Sequence, residues 1–144
     1  MKEVDCTIQA PAKLNLRLKV TGRRTDGYHE LVTLMVPVDL CDLLETRVVP
    51  PPALSLTCQG YEIPADDTNL VLRAARAFLG RSGIRIGLHM RLIKRIPVAA
   101  GLGGGSSDAA AVLLSLNERC GNPLSAGDLQ EVATRLGADV PFFL

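Results

Sequence analysis

Apolar and polar residues alternate with period two in several stretches of the chain. Leu14, Leu16, Leu18 and Val20 interleave with Lys13, Asn15, Arg17 and Lys19. The spacing predicts a strand over 12–20 with one buried and one polar face. Asp26-Gly27 marks a turn. The apolar segment from Leu31 to Val49 predicts two strands around Pro37, stopped by Pro50, Pro51 and Pro52. Leu54, Leu56 and Cys58 give a short strand, and Ile84, Ile86, Leu88, Met90 and Leu92 another. Helical spacing runs from Asn69 to Leu79, with Thr68 as the expected N-cap and Gly80 as the stop. A second helix is expected from Ser106 until Gly121-Asn122-Pro123 breaks it. Ser125 and Asp128 have capping-box spacing at the start of a third, which runs to Leu136 and stops at Gly137. Strands, helix, strand, two helices is the order of an α+β fold, with a mixed or antiparallel sheet packed on helices.

Composition narrows this further. At 144 residues the chain has the length of one domain, or of one lobe of something larger. With 47% hydrophobic and 22% charged residues it is globular, not disordered. Aromatics make up only 3% and Trp is absent, so the core falls to Leu, Val, Ile and Ala. Lys plus Arg number 16 and Asp plus Glu 15, which leaves no broad field to draw nucleic acid, so any anion recognition must be local. Cys6, Cys41, Cys58 and Cys120 show no C-x-x-C spacing and lie far from both histidines. That argues against zinc or a disulfide framework and for reduced thiols in a cytoplasmic protein. No leader-like apolar run opens the sequence, and no uninterrupted apolar stretch is long enough to span a membrane. The apolar ending Pro141-Phe142-Phe143-Leu144 is the expectation for the first part of a longer protein.

The most informative segment is Pro97-Val98-Ala99-Ala100-Gly101-Leu102-Gly103-Gly104-Gly105-Ser106-Ser107, between a predicted strand and a predicted helix. Four glycines in five residues are costly to order. They suit a backbone that must approach a ligand closely. The helix behind them offers free N–H groups and a positive dipole end, which together make a phosphate cradle. Ser106 and Ser107 add hydroxyls able to cap the helix, bond phosphate oxygens or ligate Mg²⁺. A Walker A loop would need Lys where Gly105 stands, and a dinucleotide fingerprint would need Gly or Ala at Ser106. The plainer alternative is a flexible turn with Ser106 as N-cap.

The P-x-x-x-G-L-G-G-G-S-S run resembles the phosphate loop of the galactokinase, homoserine kinase, mevalonate kinase and phosphomevalonate kinase superfamily. With P-A-K-L-N-L near the start, D-G-Y-H at 26–29 and G-A-D-V-P-F-F at 137–143, it resembles the branch acting on a cytidine diphosphate-linked methylerythritol in the non-mevalonate isoprenoid route. The resemblance runs from residue 10 to the last residue. It implies a lobe like ribosomal protein S5 domain 2 over residues 1–144, which binds ATP. The family's second lobe, which closes the cleft, is missing from this chain. It also implies Lys13 and Asp139 as the catalytic pair, and Asn15, Tyr28 and His29 as substrate-binding residues. Pro97 to Ser107 would form the ATP loop, with Lys94 and Asn69-Leu70 near the adenosine end. ATP and Mg²⁺ are the implied cofactors, with Ser107 as a metal ligand.

Each residue also has a plain reading. Lys13 is a solvated strand lysine, or a cation that stabilises charge growing on a transferring phosphoryl group. Asp139 is a turn carboxylate, or one that orients an acceptor hydroxyl for in-line attack. Asn15, two residues on, shares the strand face of Lys13. Tyr28 and His29 start a strand, or stack on and hydrogen-bond a base. His89 reads as surface. Lys94 and Arg95 add positive potential for ATP or end a strand, and Asp108 suits the helix dipole. A kinase for another small alcohol and a non-catalytic nucleotide-binding module remain open beside the leading reading.

Overall fold

The computed structural model describes residues 6–144. The opening residues, in which no leader-like run is seen, lie in part outside them. The elements are β1 (Cys6–Arg23), β2 (His29–Val49), β3 (Leu54–Gly60), α1 (Leu70–Ser82), β4 (Gly87–Lys94), α2 (Gly104–Arg119) and α3 (Ala126–Leu136). A short 3-10 turn, Val140–Phe143, follows. The sheet order is β1-β2-β4-β3. β1–β2 and β2–β4 are antiparallel, while β3 and β4 are parallel and joined through α1. The result is a mixed α+β sheet with helices on one face, as the order of elements predicts.

The core forms between Leu44, Leu56, Leu88, Met90 and Leu92 of the sheet and the helices. α2 is the central helix. Ala109 to Leu113 are all buried, so it is surrounded rather than amphipathic. The opposite sheet face, with Arg47, His89 and Ser55 in register, is solvated. His89 lies there, exposed, 3.3 Å from Ser55 Oγ.

The alternation over 12–20 marks a strand, yet its faces come out differently. Leu14, Leu16, Leu18 and Val20 are 43–61% exposed, and Lys13 is 4% exposed. The strand runs beyond the helical layer, so only its first part, Ala10 and Ala12, is covered. The rest forms a projecting arm with β2. Two one-residue bulges, at Leu16 and Thr21, interrupt the pairing. Because a bulge re-aims the residues after it, Leu18 stands opposite Thr33 and so shares the face of Asn15.

β2 is one strand, not two. Pro37 pairs opposite Lys13, next to a register jump that leaves Asp39 and Leu40 without partners. A missing N–H is tolerated beside such an irregularity. α1 is capped by Asn69 rather than Thr68: Asn69 Oδ1 accepts from the Val71 N–H at 2.9 Å, while Thr68 bonds Asp66. The helix passes the exposed Gly80 and stops at Gly83, whose left-handed φ of 71° sends its N–H back to Leu79 O. β4 starts later and runs further than the alternation suggests, to Lys94. α2 starts at Gly104, so Ser106 lies inside the first turn and is not the N-cap. The Ser125–Asp128 capping box forms as expected.

Candidate active site

The loop from Pro97 to Gly103 leaves the end of β4 and feeds α2. Positive φ recurs at Ala99 (56°), Gly101 (74°) and Gly103 (69°). Backbone that alternates hand in this way turns successive N–H groups into a concave anion nest. Beside it lies a cleft of about 350 Å³, lined by residues 97–106 together with Ile63, Pro64, Asn69, Leu70, Lys94 and Asp108. Asn69 reaches this cleft while its side chain is occupied. Besides capping α1, its Nδ2 donates to Pro64 O at 2.7 Å and fixes that wall.

Two glycines are required by close packing. A Cβ on Gly103 would lie 3.0 Å from Lys13 Cγ and 3.2 Å from Phe143 Cζ, on a backbone already left-handed. A Cβ on Gly104 would lie 3.0 Å from Lys94 Nζ and 3.1 Å from Ile96 Cγ2. The loop is thus wedged between β1, the 3-10 turn and the end of β4.

That wedge brings Lys13 and Asp139 together. The Lys13 N–H donates to Leu102 O at 2.8 Å, which ties β1 to the loop. The lysine stem lies on Gly103, and its Nζ is 3.5 Å from Asp139 Oδ2. Asp139 stands just ahead of the 3-10 turn, where the wholly buried Val140 anchors the segment. The lysine side chain is 5% exposed and the carboxylate 43%, so a buried cation meets a carboxylate open to solvent at the mouth of α2. The polar-face position predicted for Lys13 is therefore a covered one.

Other predicted residues are spread out. Asn15 shares the face of Lys13, and its Oδ1 accepts from Thr33 Oγ1 at 3.2 Å. Tyr28 and His29 stand at the tip of the arm, where His29 pairs with Arg23 and Tyr28 is 73% exposed. They lie up to roughly 30 Å along an extended strand from Lys13. The structure does not bring them against the loop.

Beneath the loop lies a buried charge cluster. Lys94 Nζ donates to Asp42 Oδ2 and, at 2.9 Å, to Asp108 Oδ2. Asp42 Oδ1 accepts from the N–H groups of Arg95 (2.6 Å) and Ile96 (2.9 Å). Burial of Asp108 raises its pKa to about 7; Lys94 opposes the rise and the Asp42 carboxylate adds to it. Burial alone would lower Lys94, but the pull of Asp108 and Asp42 outweighs it and the net direction is up. Asp108 is thus an ion-pair partner rather than a dipole-facing surface acid, and the Lys94 ammonium is committed to two carboxylates. Asp42 is absent from the site that the sequence predicts. Its only signal is phase: it shares the inward face of β2 with Leu44 and Thr46, where a carboxylate needs a partner.

Ser107 Oγ is buried and has no hydrogen-bond partner, and it lies just behind the cleft lining of Ser106 and Asp108, so its hydroxyl is free to serve as one oxygen ligand to Mg²⁺ only if it turns towards the cleft. Among the described residues no group of three or more His, Cys, Asp or Glu stands together. The four cysteines are free thiols, and among the described residues no helix is long and apolar enough to cross a membrane.

Residues 69–144 match the N-terminal domain of GHMP kinases. The chain belongs to the GHMP kinase family. Relatives in the family include the 4-diphosphocytidyl-2-C-methyl-D-erythritol kinases of a Geobacter species and of Syntrophotalea carbinolica. Each is 50% identical over 94% of this chain and 48% of its own length. A crystal structure of 4-(cytidine 5'-diphospho)-2C-methyl-D-erythritol kinase superposes with a TM-score of 0.78 at 48% identity, over 96% of this chain and 48% of that one. Homoserine kinase from Cytophaga hutchinsonii shares the GHMP fold at 22% identity and a TM-score of 0.72, over 92% of this chain and 40% of its own. The chain spans about half the length of the curated relatives it matches.

Proposed function

We propose that this lobe belongs to an ATP-dependent kinase that phosphorylates the 2-hydroxyl of 4-diphosphocytidyl-2-C-methyl-D-erythritol, in the non-mevalonate route to isoprenoid precursors. The observation that carries the reading is the Lys13–Asp139 pair seated against Gly103, at the mouth of α2. The names and identity of the relatives support the choice of substrate.

The loop N–H groups and the α2 dipole hold the triphosphate. The acceptor hydroxyl donates to Asp139 Oδ2, which orients its oxygen in line with the γ-phosphorus. As the new O–P bond forms, the bond to the β-phosphate oxygen breaks and ADP leaves with that electron pair. The hydroxyl proton passes to Asp139. Lys13 offsets the negative charge between donor and acceptor oxygens from a covered position, where a cation acts more strongly than in water. Ser107 is the residue that would hold Mg²⁺, which when bound supplies charge neutralisation on the phosphate oxygens.

Asn15, held by Thr33, faces the methylerythritol end with its amide. Tyr28 and His29 would read the cytosine by stacking and edge hydrogen bonds with the arm bent from its extended form towards Lys13. Four free thiols suit the cytoplasm. The test uses the full reading frame that contains this chain. ATP-dependent phosphorylation of the cytidine-linked substrate, inhibited competitively by CDP against that substrate, supports the proposal. Phosphorylation of another alcohol with no effect of CDP or CMP overturns the substrate, and nucleotide binding without transfer overturns the activity.

A further inference from the structure

We propose that Asp42 is a positioning residue for the nucleotide: its two carboxylate oxygens hold the two ends of the glycine loop at once. The inference rests on the functional reading above for its kinetic readout only. Oδ1 takes the N–H groups of Arg95 and Ile96, the last residues before the loop begins. Oδ2 takes the ammonium of Lys94, which carries the link on to Asp108 in the first turns of α2 and lies against Gly104, where the loop ends. One fully buried side chain on β2 therefore sets the span that the loop must bridge. A loop rich in glycine has little conformational preference of its own. Its N–H groups converge on an anion only if both ends are fixed.

The amide of the same shape does not fit the position. Asn retains one acceptor oxygen. With that oxygen on Arg95 and Ile96, its NH₂ faces the Lys94 ammonium, donor against donor. With the amide reversed, the two backbone N–H groups lose their acceptor. One end of the loop is released in either case. Asp42 is no part of the lining of the cleft and makes no ion pair with Lys13 or Asp139. Its effect should fall on ATP and not on the alcohol.

The experiment is Asp42→Asn in the full reading frame, with steady-state kinetics for each substrate and amide hydrogen exchange of the nucleotide-free protein. The expected result is a rise in KM for ATP of about tenfold or more, the equivalent of losing one charge-assisted hydrogen bond. KM for the alcohol should stay within about twofold of wild type, on the same scale of affinity. Exchange at the Arg95 and Ile96 N–H groups, which Asp42 holds, and at the Lys13 N–H, which bonds Leu102 O, should accelerate while that of β4 and α1 is unchanged. Equal changes in both KM values, no change in either, or exchange of those N–H groups at the wild-type rate overturns the proposal.

If Asp42→Asn does not fold, Lys94→Met decides by the same readouts. It cuts the tie to α2 but leaves the Arg95 and Ile96 bonds, so faster exchange should be confined to the Ser107 N–H, which bonds Gly103 O at the far end of the loop. Uniform acceleration or none overturns the proposal. If the wild-type protein binds ATP but transfers no phosphate to the cytidine-linked alcohol, the functional reading fails. ATP affinity and amide exchange then still decide the role of Asp42.

Discussion

The backbone N–H of Lys13 donates to the carbonyl of Leu102 across 2.8 Å, so the strand that carries the cation and the glycine loop are one hydrogen-bonded unit. The backbone that carries the ammonium cannot shift from the helix mouth unless the loop moves with it. Phosphoryl transfer depends mainly on such positioning.

From this geometry, Asp139→Asn should keep the fold and the ATP affinity and lose turnover. The amide still accepts a hydrogen bond from the acceptor hydroxyl but takes no proton and pairs weakly with Lys13. A fall in kcat of roughly 10²–10⁴ is expected, the usual scale for a general base. Steady-state kinetics of the full-length protein measures it, and near-normal kcat removes Asp139 from the role.

Gly103→Ala tests the wedge. The methyl group meets Lys13 and Phe143 at 3.0–3.2 Å, on a backbone with φ of 69°. The left-handed conformation alone costs an alanine about 1–2 kcal/mol. Chemical denaturation should show at least that loss. Displacement of the lysine stem should lower kcat beyond what the stability change explains.

Asn69 joins helix stability to the wall of the cleft. Asn69→Ala should destabilise by about 0.5–2 kcal/mol through the lost cap. Asn69→Asp keeps the cap oxygen but loses the Nδ2 donation to Pro64. It should leave the unfolding midpoint nearly unchanged and weaken ATP binding, as titration calorimetry would show. A variant with wild-type ATP affinity would refute the second function.

Acid stability reports on the α3 cap. Hydrogen bonds from Ser125, then the Arg81 guanidinium, hold Asp128 down at about 2, below its ordinary 3.8. The folded pKa is the depressed one. The contribution of Asp128 is therefore complete above about pH 4 and is lost as pH falls toward 2. Denaturation midpoints of wild type and Asp128→Asn should differ at pH 5 and draw together as pH falls through about 2. Parallel curves would rule the linkage out.

The loop, the capping box and the pairing of residues 13 and 139 are legible in the amino-acid sequence, because each is a local pattern or a matched motif. What is not legible there depends on where the helical layer ends. Leu14 to Val20 alternate like a half-buried strand, yet no helix lies over them. Lys13 alternates as a polar residue and is covered, its stem lying against Gly103. Asp42 looks like any strand carboxylate until Arg95, Ile96 and Lys94, far along the chain, arrive around it. Asp108 sits at a position that suits a dipole and is claimed instead by a lysine below. In each case tertiary packing overrides a correct local preference.

The bulges at Leu16 and Thr21 absorb one residue each without changing which way the rest of the arm faces. Deleting Leu16 alone would straighten β1 and leave Leu18 opposite Thr33, on the side of Asn15. Removing one regularly paired residue from each strand would instead turn over every side chain beyond the cut, and only a step of two residues per strand keeps the facing. The reach of the tip is thus adjustable in two-residue steps that leave its aromatic and imidazole groups oriented as they are.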